Sequence, residues 1–209
     1  MSMHTVGAWI GLGTPTEPGL AVTRERLLRL APSADAAIVA GITARFDELA
    51  AEHALTTRLR RCHFLAQAAH ETDGFRTLEE YGGPAYFIRY EGRRDLGNTQ
   101  AGDGVRYHGR GIFQLTGRAN YRRFGQILGI DLEAEPERAK EPETSLRVAF
   151  AYWRERTIDA AADADDSERV TKLINGGRNG LAERRRYLAK AKEIWLQVFA
   201  AEAASGKVP

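Results

Sequence analysis

A chain of 209 residues with 43% hydrophobic and 28% charged residues has the composition of an ordinary globular protein, not a disordered one. Thirty Lys and Arg against 28 Asp and Glu leave a formal charge of +2, too even a balance for a surface dedicated to nucleic acid. A single cysteine, Cys62, excludes an internal disulfide framework and a multi-Cys zinc site, and no apolar run reaches the roughly 18 residues of a membrane span.

The N-terminal stretch MSMHTVGAWIGLGTPTEPGL has no basic segment followed by a continuous apolar run. No secretory signal is therefore expected, and synthesis in a reducing cytoplasm is. Residues 1–20 read as a peripheral segment, 21–201 as one domain and 202–209 as a C-terminal tail. Ser33 is a candidate N-cap for a helix carrying Ile38, Ile42, Phe46 and Leu49 at steps of 4, 4 and 3. Thr57 is the candidate cap of the next, with Leu59, Cys62, Ala66 and Ala69 on one stripe, ending near Glu71 because Gly74 is a natural stop. A short extended run is expected at Tyr86-Phe87-Ile88 and another at Gly111–Leu115. A helix after Thr116 carries Tyr121, Phe124 and Leu128. Pro142 opens one with Leu146, Phe150 and Trp153, and the last carries Leu188, Ala191, Trp195 and Val198. Twelve of the 21 glycines fall between residues 71 and 130, which predicts a loop-built site held on a helical scaffold. The fold expected is mainly α, with a small irregular or β-like element in the glycine-rich middle.

Most catalytic patterns fail. His70-Glu71 is not followed by a histidine at position 74, Gly109-Arg110-Gly111 does not complete GxGxxG, and neither a phosphate-binding GxxxxGK[ST] nor a GxSxG is present. Cys62, adjacent to His63 on a helix, reads as core. What remains is a group of carboxylates: Glu71, Asp73, Glu79, Glu80 and Glu91. Glu71 is expected at a helix C-terminus, where the dipole disfavours negative charge, and shielding by Phe64 and Phe75 would favour its neutral form further. Glu80, in a loop bounded by Gly74 and Gly82-Gly83, would stay ionised if solvated. Two carboxyls in unlike environments suit glycoside hydrolysis, and a chance cluster of surface acids is the plain alternative.

Among the remaining residues, Trp153 and Trp195 fit core stripes and Trp9 is open to sugar stacking. Tyr81, Tyr86, Phe87 and Tyr90 are candidate groove residues. His4, His53, His63 and His108 show no metal spacing, and Arg184–Arg186 reads as a solvated face apart from one inward arginine. Asn98, Asp103 and Gly104 read as turn chemistry.

His70-Glu71-Thr72-Asp73-Gly74-Phe75 resembles the HE[ST]xGF signature of family 19 glycoside hydrolases, the plant-type chitinases and related phage endolysins. The resemblance continues in Gly109-Arg110-Gly111-Ile112-Phe113-Gln114-Leu115-Thr116, in Asn120-Tyr121, and in Ile174-Asn175-Gly176-Gly177. It implies a lysozyme-like single domain in which a small irregular or β element borders the active-site cleft. It also implies Glu71 as general acid and Glu80 as general base, in the pattern of the family's loop-poor members, with Glu91 as second candidate for the base. By the same resemblance Thr116 holds the attacking water, while Gln114, Asn120, Tyr121 and Asn175 contact the N-acetyl sugar. Arg184 corresponds to the arginine near the catalytic acid, and His70 is structural or a partner of that acid. The implied reaction is inverting, with no metal and no other cofactor.

The expected function is thus hydrolysis of β-1,4 bonds in an N-acetylglucosamine polymer. Peptidoglycan is the favoured substrate, met by an endolysin after release from the cytoplasm. The expected partner is that polysaccharide alone, with no nucleic acid and no stable membrane insertion, and the expected state is a monomer. Chitin hydrolysis stays open, as does a non-catalytic saccharide-binding or phage structural protein. A metal-dependent wall amidase lacks a convincing ligand set.

Overall fold

The computed structural model describes residues 19–204. Residues 1–18 and 205–209, with His4 and Trp9 among them, lie outside it, as does the side chain of Val198. Ten α-helices follow one another among the described residues: α1 (Arg24–Leu30), α2 (Ala36–Glu52), α3 (Arg58–Glu71), α4 (Pro84–Phe87), α5 (Asp103–Arg106), α6 (Arg118–Leu128), α7 (Pro142–Glu155), α8 (Asp159–Asp163), α9 (Ser167–Asn175) and α10 (Leu181–Ala204). Leu20 is buried, so the core begins inside the stretch expected to be peripheral, and α10 runs past the expected tail boundary at 202.

Helix α3 is the axis. Thr57 caps it as expected, accepting from the Arg60 amide, and every residue from Arg61 to Ala69 is buried because α10, α8 and α9 pack around it. A single stripe was expected of so polar a sequence. The fold instead covers all sides and supplies partners for most of the polar groups it buries, as an unpaired buried polar group would be costly. The Arg61 guanidinium meets Asp47 and the carbonyls of Leu20 and Leu55, His63 Nε2 lies 2.8 Å from Asp165, and Gln67 pairs with Arg184. Cys62, Trp153 and Trp195 are core residues, as expected.

Helix α7 divides two hydrophobic clusters. Leu146, Ala149, Phe150 and Trp153 join the larger, where the Phe150 ring stacks on Phe64 at 4.6 Å. Val148 and Ala151 join a smaller cluster with Tyr107, Leu115, Tyr121, Phe124 and Leu132. Tyr152 packs against both. Two lobes joined along one helix leave a seam between them, and the groove described below lies there.

Three local expectations are corrected. The N-cap of α2 is Asp35, not Ser33, since the Asp35 carboxylate accepts from the amides of Ala37 and Ile38. Tyr86-Phe87-Ile88 is helical, because Pro84 at the first position of α4 presets the turn that a 3₁₀ segment, Ile88–Tyr90, continues. Gly111–Leu115 is a tight turn. Arg110 and Leu115 exchange both backbone hydrogen bonds, and the positive φ of Gly111 and Gln114 closes the loop between them. Isolated antiparallel bridges, Glu79 to Arg110 and Arg110 to Leu115, form the small β-like element.

Candidate active site

The site begins where α3 stops. The Gly74 amide donates back to the Ala69 carbonyl, and Thr72 Oγ1 ties Ala68 to the Phe75 amide. Asp73, Gly74 and Phe75 all have positive φ. Two of these are not glycine, so the turn holds strain of a kind that persists only where the surroundings fix it. This turn leaves Glu71 at the helix end and sends the chain out to the Glu79–Arg110 bridge.

Glu71 is half-buried, and Arg184 Nη2 of α10 donates to its Oε1 at 2.5 Å. The same guanidinium donates to Gln67, one turn before Glu71, and to the Asn179 carbonyl at 3.2 Å. Phe64 and Phe75, expected to shield Glu71, are wholly buried in the core. The nearest identified neighbour of the carboxyl is a cation, not an apolar wall. Arg184 is therefore the inward arginine of its run, buried to 2% exposure and paired with Glu71.

Glu80 is reached through the bridge. Its amide donates to the Gly109 carbonyl at 2.9 Å, and the Gly109 amide returns a hydrogen bond to Glu80 Oε2 at 3.1 Å. Glu80 Oε1 accepts from the Tyr90 hydroxyl at 2.9 Å and from Arg89. A Cβ at Gly109 would stand 2.7 Å from Gln114 Oε1 and 3.1 Å from Glu80 Oε2, so glycine is what lets Glu80 and Gln114 approach one another. Glu80 also lines a concavity of ≈ 360 Å³ with Tyr81, Pro84 and Phe87.

Gln114, Thr116 and Asn120 line one groove of ≈ 220 Å³ with Phe113, Arg123, Tyr152, Arg156 and Ile174. Their side chains are held by local carbonyls: Gln114 donates to Gly111, Thr116 to Gln114 and Asn120 to Thr116. Burial raises the pKa of the Tyr152 hydroxyl, and the charge of Glu71 adds to the rise against the opposing effect of Arg156. Gly109 has Gln114 of the groove on one flank and Glu80 on the other. Neither Glu71 nor Glu80 lines this groove, and neither lines a further concavity of ≈ 580 Å³ around Asp103, Arg118 and Glu133.

Other expected residues sit elsewhere. Tyr121, expected at the sugar, is fully buried; its hydroxyl donates to the His108 carbonyl and accepts from Arg110, because the second cluster needs its ring. Asn175 accepts from the Gly177 amide and donates to the Asn179 carbonyl, folding the loop after α9. His70 Nδ1 lies 2.7 Å from Glu183, not against Glu71. Glu91 gives both oxygens to backbone amides, Oε1 to Gly102 at 2.7 Å and Oε2 to Gly104 at 2.8 Å. Asn98 and Asp103 tie the same loop to Tyr90, Thr99, Gln100 and Arg118, as turn chemistry requires. Among the described residues, no group of three or more His, Cys, Asp or Glu is placed to hold a metal.

Sequence reasoning missed Gln67, Arg89 and Tyr152. Gln67 had a signal, its i, i+4 spacing from Glu71 on one helix; Arg89 had none, since it meets Glu80 only through the fold.

A helical scaffold with a polar groove between its two hydrophobic clusters, and two carboxylates in unlike settings, Glu71 against Arg184 and Glu80 against Arg89 and Tyr90, has the parts that a glycoside hydrolase uses. The family model described as Chitinase class I matches residues 33–166. A "Glycosyl hydrolase family 19 domain-containing protein" of Haemophilus influenzae is 32% identical over 155 residues, covering 61% of this chain and 76% of that one. Chitinase 6 of Oryza sativa subsp. japonica is 33% identical over 118 residues, covering 54% of this chain but only 41% of the plant protein. Chitinase C from Streptomyces griseus HUT6037 shares the fold, with a TM-score of 0.70 and 21% identity over 86% of this chain and 94% of that one. The chain belongs to family 19 of the glycoside hydrolases.

Proposed function

We propose that the protein is an inverting hydrolase of β-1,4 bonds in an N-acetylglucosamine polymer, with Glu71 as general acid and Glu80 as general base. The observation that carries this reading is the pair of unlike carboxyl settings. Glu71 is gripped on Oε1 by a buried arginine, and Glu80 is held by three donors beside Gln114. Arg184 donates to Oε1, so the proton that Glu71 delivers is carried on Oε2. Glu80 accepts a proton from water as the water oxygen bonds to the anomeric carbon. The glycosidic bond breaks on the opposite side, and its oxygen takes the Glu71 proton. A water must fit between base and sugar, which in inverting enzymes sets the carboxyls roughly 6.5–9.5 Å apart. Gln114, Thr116 and Asn120 supply polar groups for the sugar and the water. Glu91 is a poor base, because its oxygens already serve two amides.

Peptidoglycan is the substrate this reading favours, with wall lysis of the endolysin kind as the role. The groove lining includes Arg156, a cation suited to the carboxylates that peptidoglycan carries and chitin lacks, while Arg123 there pairs with Glu155. Chitin is the second reading, and the matches to proteins called chitinase and endochitinase favour it. Parallel digestion of purified peptidoglycan and colloidal chitin, with mass spectrometry of the reducing ends, separates the two. New reducing sugars from peptidoglycan are expected; release of peptide fragments alone would overturn the glycosidase reading.

A further inference from the structure

Glu80 has more partners than a solvated base needs. A carboxylate offers about four lone-pair sites on its two oxygens. On Oε1 both are filled, by the Arg89 guanidinium and by the Tyr90 hydroxyl at 2.9 Å. On Oε2 one is filled, by the Gly109 amide at 3.1 Å. One site remains, on Oε2, the oxygen beside Gly109, whose Cα also faces Gln114 Oε1.

We propose that Arg89 and Tyr90 form a clamp that occupies Oε1 of Glu80 and so makes Oε2 the oxygen that takes the proton from the attacking water. The inference rests on Glu80 being the base. Arg89 itself is fixed with little burial: it donates to the Tyr90 hydroxyl at 2.7 Å, and its guanidinium stacks over the rings of Tyr86 at 3.7 Å and Tyr90 at 4.7 Å. Those stacks hold a half-exposed arginine that would otherwise be loose in solvent. Burial, helped by the Glu80 carboxylate, raises the pKa of Tyr90, so its hydroxyl is a donor at neutral pH. Among the described residues, Arg89 is the cation that pairs with Glu80. The neighbouring Glu79 belongs to a separate set with His108, Lys140 and Arg110, and Asp73 pairs with Arg76 and Tyr81. Arg89 and Tyr90 are positioning residues, and both sit in the 3₁₀ segment after α4. That segment's place beside the base is thereby explained.

The test uses Arg89→Gln, Arg89→Lys, Tyr90→Phe and Glu80→Gln in the full chain, with kcat, KM and pH profiles on a soluble glycan fragment. Arg89→Gln is expected to lower kcat about tenfold with KM within about twofold. It is also expected to move the acid limb of kcat to higher pH by about half a unit to one unit, because a neighbouring cation favours the charged carboxylate. Arg89→Lys is expected to restore the acid limb and part of kcat, and Tyr90→Phe to lower kcat about threefold with a smaller limb shift. Thermal unfolding should be unchanged in Arg89→Gln, since the side chain is largely outside the core. A wild-type pH profile and kcat in both Arg89→Gln and Tyr90→Phe would overturn the clamp, provided Glu80→Gln is inactive. If Glu80→Gln is active, the assignment of the base has failed instead.

Discussion

Arg184, buried in α10, and Glu71, at the end of α3, are joined by a 2.5 Å hydrogen bond that crosses between the two longest-packed helices of the molecule. The contact ties the position of the proposed acid to the main helix pair. Arg184→Met removes the donor that serves Glu71, Gln67 and the Asn179 carbonyl together. A loss of about 2–3 kcal/mol in unfolding free energy is expected from urea titration, with a drop in kcat that exceeds the change in KM.

Gly180 and His70 form a second such constraint. A Cβ on Gly180 would fall 2.2 Å from the His70 ring, and its φ of +69° is one that other residues rarely adopt. Gly180→Ala is therefore expected to cost about 1–3 kcal/mol and to displace His70 from Glu183. Thermal unfolding and the His70 ring resonances in NMR check both parts.

Glu80 and Glu91 are separated by what their oxygens do. Glu80→Gln is expected to reduce kcat by about 10²–10⁴-fold with little change in stability. Glu91→Gln weakens the acceptors for the Gly102 and Gly104 amides, so it should lower the melting temperature while keeping activity within a few-fold. Kinetics and calorimetry on the two variants distinguish them; the reverse pattern would make Glu91 the base.

Acid stability follows from two histidines, His63 buried and His53 half-buried. Burial lowers the pKa of His53 and of His63, in the latter case against the opposing effect of Asp165, and Nδ1 of each ring is buried without a partner. The unfolded chain takes up these protons first as pH falls. Their contribution is thus full above the ordinary histidine pKa of 6.5 and is lost as pH drops from there toward the lowered folded values. Urea unfolding at pH 7 and pH 5 is expected to show the loss, and His53→Gln to flatten it.

The sequence disclosed its helices where local rules decide them. Thr57 as cap, Pro142 as first residue and Gly74 as stop all mark α3 and α7 correctly, and the apolar steps of Phe46, Phe150 and Trp153 point to the core. Asp35 displaced Ser33 as a cap because only its carboxylate reaches two amides. Helix α9 escaped notice because its buried residues, Val170, Thr171 and Ile174, are too few to make a stripe. The carboxylates of the candidate site were legible from composition and motif. Their partners were not: Arg184, Arg89 and Gly109 meet the glutamates only after distant segments have packed. Tyr121 illustrates the converse, a motif residue whose place is set by a second core that periodicity does not reveal.

The central proposition is a base and an acid acting on opposite sides of one glycosidic bond. Proton NMR of the products in the first moments of hydrolysis of a β-linked oligosaccharide tests it most directly. The account predicts that the α-anomer of the new reducing end forms first and then mutarotates. Initial accumulation of the β-anomer would contradict it, since a single displacement by water cannot retain configuration.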